Sequence, residues 1–410
     1  MRISVVLGKA LSPEHVAAWR FLQRSNPRLG SPFLCPDYTL AVARAGEPVE
    51  VAVLQDAAGA VGFFPYQRVG PDEAEPVGEP MNDCQAIVGA PELAFDPAEI
   101  LRACGLRCWH FNHLLASQVP FWPFHQASAQ SPFMDLSRGY DAWSAGRPER
   151  GGQPLARLRE RERRLGRVAG PLRFEPDSSY PGLLERLIDW KRAQYARTRV
   201  PDPLAPEQRR QVLREIAATR TAGFAGMLSA LWAGDDPIAA HFGMRSDKVL
   251  HWWFPVYSSA HAWASPGLLL LLHLARYCAE QGIGMIDMGK GSEGYKLRFQ
   301  TGGVALAEGA IHASAPPADL ASDIATLRTE DQRLVNTAET ATAAADLERE
   351  VAALTTENRR LASAADAAWA EAQALRTSGS WRLAGPLRAG YDGLSALREV
   401  AERWRHKRTP

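Results

Sequence analysis

The segment Met285-Ile286-Asp287-Met288-Gly289-Lys290-Gly291 ends an apolar run on a turn carrying an acid, a lysine and two glycines, and Tyr295-Lys296 with Phe299 follow closely. A carboxylate, ammonium groups and a phenol gathered at a strand end are suited to hold a polar substrate and move protons. A structural Asp287–Lys290 ion pair at a tight turn fits the same residues equally well. Upstream, Ala264-Ser265-Pro266-Gly267-Leu268 opens a long apolar helix. Serine can cap such a start, proline fits its first turn, and glycine lets a ligand approach the backbone closely. The exposed amides and the helix dipole then make an anion site, although a well-capped core helix has the same signature. His241 stands in the run Ile238-Ala239-Ala240-His241-Phe242-Gly243-Met244. Alternation puts Ala239, His241 and Gly243 on one face, where small neighbours leave room for a ligand beside the ring. A histidine amid apolar residues is more often a satisfied core residue. His251-Trp252-Trp253-Phe254 follows as a set of walls, with the aromatics weighing toward core.

Positioning these groups requires a strand-rich second half. Two helices, roughly Pro181–Thr198 and Pro206–Thr221, precede a meander of three strands: Gly226–Trp232, Ile238–Met244 and Val249–Pro255. The turns Gly234-Asp235-Asp236-Pro237 and Ser246-Asp247-Lys248 have hairpin chemistry. A helix over Pro266–Gln281, a strand over Met285–Met288 and a strand near Val304–His312 complete it. The first half, residues 1–140, alternates short strands and helices. Ser12-Pro13-Glu14 starts a helix, and Asp56-Ala57-Ala58-Gly59 joins the strands Val49–Leu54 and Ala60–Tyr66. Trp109–Leu115 is another strand. The Gly/Pro/Arg-rich stretch 139–153 reads as a linker into a basic helix, Leu155–Arg167. Glu160 and Glu162 intersperse its arginines and no aromatic accompanies them, which favours a solvated face over nucleic-acid contact; holding a ligand's phosphates is a third option. Residues 318–376 follow 4-3 apolar spacing, with Asn358 at a core position, and read as a coiled coil that forms a homodimer or recruits a partner protein. Residues 377–410 form a basic tail.

With 410 residues, 46% of them hydrophobic, and 12 Trp and 14 Phe, the chain can fill two globular cores, which excludes a disordered polypeptide. A net charge of +1 supplies no field toward nucleic acid or an anionic membrane. Cys35, Cys84, Cys104, Cys108 and Cys278 are odd in number and scattered, as in a reducing compartment. Cys104, Cys108 and His110 fall where a helix end gives way to a strand, so no metal is expected. The N-terminal apolar run Ile3–Leu7 is too short for a signal peptide, and no stretch can span a bilayer, so the expectation is a cytoplasmic protein.

The stretch from A-A-H-F-G-M-R-S (239–246) through H-W-W-F-P-V-Y, S-P-G-L-L-L-L and I-D-M-G-K-G to Y-K-L-R-F resembles the CelD-type acetyltransferases associated with cellulose biosynthesis, in the FemAB-like branch of the GNAT superfamily. Ser31-Pro32-Phe33, Val61-Gly62-Phe63-Phe64-Pro65-Tyr66 and Asp83 extend the likeness across 1–315, and the tail's S-W-R-L-x-x-P-L-R resembles a segment of polysaccharide-assembly proteins. The resemblance implies an α/β (α+β) fold of tandem GNAT-like domains, 1–140 and 150–315, ahead of the coiled coil, with substrate in the cleft between them. It implies acyl transfer from acetyl-CoA or another acyl-CoA, without a metal, to an amine or hydroxyl of a sugar-like acceptor in exopolysaccharide or cellulose synthesis. Ser265, Pro266, Gly267 and Leu268 would hold the donor's phosphates. His241 or Asp287 would act as base, Tyr295 would protonate the leaving thiolate, and Asp83, Trp253, Lys290 and Lys296 would bind the acceptor. S-P-G stands where ordinary GNAT enzymes carry an Arg/Gln-x-x-Gly-x-Gly/Ala loop, which leaves an aminoacyl-tRNA donor as the alternative. A non-catalytic scaffold built on the coiled coil is the third reading.

Overall fold

The computed structural model describes residues 1–145, 155–291 and 293–313; the coiled coil read over 318–376 and the tail read over 377–410 lie outside the described residues. The chain begins with β1 (Arg2–Leu7), α1 (Pro13–Ser25) and α2 (Pro36–Arg44). There follow β2 (Val49–Asp56), β3 (Gly59–Arg68), the short strands β4 (Glu73–Glu75) and β5 (Val88–Gly89), α3 (Pro97–Ala103), β6 (Cys108–Leu115) and β7 (His125–Asp135). Next come α4 (Tyr140–Ala145), α5 (Leu155–Ala169), β8 (Leu172–Glu175), α6 (Leu183–Thr198), α7 (Glu207–Ala218) and β9 (Arg220–Thr221). The described chain closes with β10 (Phe224–Ala233), β11 (Asp236–Arg245), β12 (Val249–Tyr257), α8 (Pro266–Glu280), β13 (Met285–Asp287), α9 (Gly294–Phe299) and β14 (Gly302–His312).

Local chemistry accounts for many of these boundaries. Ser12 Oγ accepts the His15 amide at 3.3 Å and Pro13 occupies the first turn of α1. Between β2 and β3, Asp56 Oδ1 accepts the amides of Ala58 and Gly59 at 2.7 and 3.1 Å, and Gly59 supplies the positive φ that closes the turn. The stretch expected as a linker from 139 is helical at its start. α4 forms there because Tyr140 and Trp143 bury their rings in the core.

The strands join one sheet in the order β1-β2-β3-β4-β6-β14-β7-β13-β12-β11-β10-β8. Read inward from either edge, the two halves repeat one plan: an outer strand, two helices, an antiparallel ribbon, and a parallel pair with a helix between its strands. The parallel pairs are β4 with β6 and β12 with β13. The last strand of each half is exchanged. β7 pairs with β13 of the second half, β14 pairs with β6 of the first, and β7 and β14 pair with each other at the centre. The strand near Val304–His312 thus forms, but among partners from the first half.

On one face, α1, α2, α6 and α7 of both halves pack into a single core. On the other face, α3 covers the first half while α4, α5 and α8 cover the second. The shared core fixes the halves against each other, so groups carried by loops of one half meet strands of the other at constant geometry. No described helix is long and apolar enough to cross a membrane.

Candidate active site

Strands β12 and β13 pair in parallel only through Val249–Met285, Leu250–Ile286 and His251–Asp287. Beyond that point β13 turns away and β12 runs on to Tyr257, leaving one edge of its backbone unpaired by β13. The other edge carries a bulge, where the register with β11 shifts between Phe242 and Met244. The bulge lets Trp253 and Phe254 both face the core shared by the two halves while Trp252 faces the core under α8. His241 serves this irregularity: its Nε2 accepts the Trp253 amide at 3.2 Å and its ring stacks on Trp252 at 4.1 Å. Burial, with the charge of His251 adding to it, pushes the His241 imidazole down to about 3. It is a neutral, fully buried ring with Nε2 occupied.

At the apex of the splay lies His251, wholly buried. Its Nε2 donates to Asp83 Oδ2 at 2.9 Å, and its Nδ1 is 3.7 Å from Asp287 Oδ2. Burial alone would push the imidazole down. The two carboxylates outweigh it and hold the ring up at about 9, so it is a cation at neutral pH. Burial pushes Asp287 up, and His251, the Ser131 hydroxyl and the Gly289 amide more than reverse this; its carboxyl lies below the usual range. Ser131 donates to Asp287 Oδ1, and the Gly289 amide reaches the same oxygen at 3.0 Å. Gly289 has φ 75°, and a Cβ there would sit 3.3 Å from Asp83 Oδ2 and 3.6 Å from His251 Cε1. Backbone and space therefore both call for glycine. Phe33 closes the cluster edge-on to His251 and to Trp253, at 4.8 and 5.4 Å.

The first half contributes a second set of polar groups from β6 and the loop after β4. Asn112 Nδ2 donates to Glu79 Oε1 at 2.7 Å, and Gln85 Nε2 bridges to Asn112 Oδ1 at 2.7 Å. Burial raises the Glu79 carboxyl to about 7, with Asn112 and Lys290 opposing and Glu75 and Asp83 reinforcing. His113 lies 3.8 Å from Asp83 Oδ1 through Nε2, and burial holds its imidazole low, against the pull of Asp83. Lys290 pairs with Glu308 at 2.7 Å and donates to the Asn112 carbonyl at 3.3 Å. From α9, Lys296 Nζ donates to the carbonyls of Gly289 and Lys290 at 3.1 and 3.0 Å and pairs with Glu293 at 3.0 Å. Burial and then Glu293 push the Tyr295 phenol well above its ordinary range, so it keeps its proton.

The far end of the splay is built differently from expectation. Ser265 does not cap α8 with its side chain. It stands in the left-handed region at φ 55°, ψ 54°, a strained place for a non-glycine residue, which turns its hydroxyl away from the first amides. The hydroxyl accepts instead from Arg161 Nη1 at 3.0 Å, and Arg164 lies over the Trp263 ring at 4.8 Å. α5 therefore turns two arginines toward the start of α8, where Pro266, Gly267 and Leu268 present the positive end of the helix.

Of the residues singled out in the sequence, Asp83, Asp287, Lys290 and Lys296 converge at the apex, with Trp253 beside them. Tyr295 stands on α9 and His241 in the core behind. Ser265–Leu268 lie past Tyr257, about 20 Å along β12 from His251 at strand spacing. In the sequence His251 reads as part of a wall, and nothing there marks Glu79 or Ser131. A histidine directly before two tryptophans carries no mark of the carboxylates that fold against it. Among the described residues no group of His, Cys, Asp and Glu is arranged to hold a metal ion; Cys108 Sγ meets only His110, at 3.3 Å.

A search of curated proteins found no match. Among solved structures the chain is similar to FemX (10% identity, 76% of this chain and 96% of that one, TM-score 0.48) and to L-PGS from Bacillus licheniformis (14%, 77% and 96%, 0.46). It is also similar to a tandem GNAT protein from the clavulanic acid biosynthesis pathway (12%, 77% and 100%, 0.43). Residues 155–297, which hold α5 through most of α9, match the model of an acetyltransferase (GNAT) domain. The chain is an acyltransferase enzyme with a GNAT acetyltransferase domain over 155–297.

Proposed function

We propose that the chain moves an acetyl or other acyl group from acyl-CoA to an amine or hydroxyl of a sugar-like acceptor, and that residues 1–140 act as a second GNAT-like lobe bearing part of the acceptor site. The observation that carries this is the splayed edge of β12. It links an anion-favouring helix start at one end to a cluster of ionisable groups at the other, across about 20 Å. A donor with phosphates at one end and a thioester on a long extended arm fits that span.

In this reading the phosphates rest on the start of α8 with Arg161, and the arm lies along β12 with its thioester at the apex. Transfer needs a group to take the acceptor's proton. Asp287 has its oxygens committed to His251, Ser131 and Gly289, and His241 has Nε2 committed to Trp253. Glu79 keeps a carboxyl that changes charge near neutrality and faces the same centre, so we assign it the proton. Tyr295 then donates a hydrogen bond to the departing sulfur. Carbohydrate as acceptor class, and exopolysaccharide or cellulose synthesis as pathway, are supported by the CelD-type resemblance of 238–299 and by the tail sequence.

Calorimetric titration of the full chain with acetyl-CoA tests the donor. Saturable binding, weakened in Arg161→Ala, is the expected result. Absence of binding to the intact chain refutes the acyl-CoA reading and turns the assay to aminoacyl-tRNA, which would then bind with strong salt dependence.

A further inference from the structure

Lys191 lies on α6, facing the strands, and is buried with 8% of its surface exposed. An ammonium carries three donors and a charge, and burial of that charge without an anion is costly. Among the described residues no carboxylate comes within ion-pair distance of it. Its one hydrogen-bonding partner there is the Pro255 carbonyl at 3.2 Å, a neutral acceptor on the free-running part of β12. The Tyr195 ring, 5.3 Å away, covers one flank. Opposite, Lys296 is likewise buried, fixed by the carbonyls of Gly289 and Lys290 on the turn that follows β13. One ammonium thus sits on each arm of the β12/β13 splay. The carboxylate near them, Glu293, is taken by Lys296 and is itself largely exposed. Lys191 is held down to about 8, by burial first and by the charge of Lys296 second. A fold that places two desolvated cations either side of a gap, with one shielding carboxylate, has left a negative charge to be supplied from outside.

We propose that Lys191 and Lys296 form a seat for an anionic group of the acceptor, a phosphate or a carboxylate, in the gap between β12 and the turn after β13. The inference deepens the acyl-transfer reading by giving the acceptor a charge, and it adds Lys191 as a binding residue. The seat is distinct from the start of α8, which lies past Tyr257 and holds the donor's phosphates through Arg161.

The test is a thermal unfolding series on the full chain with inorganic phosphate, at constant ionic strength, for the wild type, Lys191→Met, Lys191→Gln and Arg161→Ala. Gln keeps a donor for the Pro255 carbonyl and drops the charge, so the comparison survives if Met prevents folding. General salting effects are common to all four proteins and cancel in the differences. At phosphate tenfold above its dissociation constant, a wild-type seat favours the folded state about elevenfold. The expected result is that both Lys191 variants lose this increment and Arg161→Ala retains it. An equal response in the Lys191 variants, a response lost only in Arg161→Ala, or no response in the wild type overturns the proposal. Acetyl-CoA titration of the Lys191 variants is read in parallel: retained donor binding with a lost phosphate response supports the seat, while a wild type that binds phosphate at Lys191 but no acetyl-CoA refutes the donor and leaves the seat standing.

Discussion

The His251 cluster makes a quantitative demand on stability. In the unfolded chain the imidazole titrates near 6.5; in the fold Asp83 and Asp287 hold it at about 9. A raised value means that the folded state binds the proton more tightly. Its contribution is therefore fully present below pH 6.5 and is lost as pH rises through about 9. The difference between the two values corresponds to ~3 kcal/mol. Other groups titrate nearby. Lys191, lowered from 10.5 to about 8, regains stability above pH 8, which would mask the loss in the wild type alone. The measurement is therefore a difference: urea unfolding of the full chain and of His251→Gln, each from pH 6 to 9.5, where Lys191 contributes to both and cancels. At pH 6 the variant leaves Asp287 buried beside an uncharged amide and is expected to be destabilised by roughly 3–5 kcal/mol. By pH 9.5 the gap should narrow by about 3 kcal/mol as the wild-type ring loses its charge. A gap that stays constant within ~1 kcal/mol across this range would show that the ring loses no proton there, and a value of about 9 set by Asp83 and Asp287 would fall.

Glu79→Gln should lower the acyl-transfer rate by roughly 10²–10⁴-fold and abolish a rise in kcat/KM centred near pH 7, measured by thiol release from acetyl-CoA; an unchanged pH profile removes Glu79 as base. The same variant should be no less stable than wild type above pH 7, since a carboxyl whose folded value is raised ionises at the expense of the fold there. Arg161→Ala should weaken acetyl-CoA binding about ten- to a hundredfold through loss of one charge-assisted contact, with unfolding little changed. Gly243→Ala would place a methyl 2.2 Å from the His251 carbonyl oxygen and 2.6 Å from the His241 ring; neither can retreat, and the urea midpoint should fall by the equivalent of ~3 kcal/mol or more.

What the sequence made legible is what short-range chemistry determines. The Ser12 cap, the Asp56–Gly59 turn and the meander of β10, β11 and β12 each rest on neighbours a few residues apart, and each forms where its residues indicate. Asp83 was visible as an acid in a loop and Asp287 as one at a strand end. Their common partner was not, because His251 meets Asp83 across 168 positions of chain. Strand β7 also escaped: His125-Gln126-Ala127-Ser128-Ala129-Gln130-Ser131-Pro132 has no apolar alternation, since its first part is largely solvated and only from Ser131 onward is it mostly buried. Ser265 misled for a conformational reason. Its type and place are those of a cap, and a single left-handed residue redirects the hydroxyl to α5.

The exchange of β7 and β14 explains why this chemistry sits at the middle of the sheet. β13 ends in Asp287, and its outer neighbour is β7 of the first half, whose Ser131 supplies the hydroxyl to that carboxylate. β14, continuing from the second half, pairs with β6 and brings Glu308 to Lys290 beside Asn112. Each half thus completes the other's parallel pair. The 155–297 segment that matches an acetyltransferase domain includes neither exchanged strand, so alone it would leave β13 with a bare edge and Asp287 without Ser131, Asp83 or the loop bearing Glu79. His251 then would face one carboxylate instead of two, and its Nε2 would lose the Asp83 oxygen that accepts its hydrogen bond. The apex is a property of the pair of halves, and its polar groups come as much from residues 79–131 as from the matched domain.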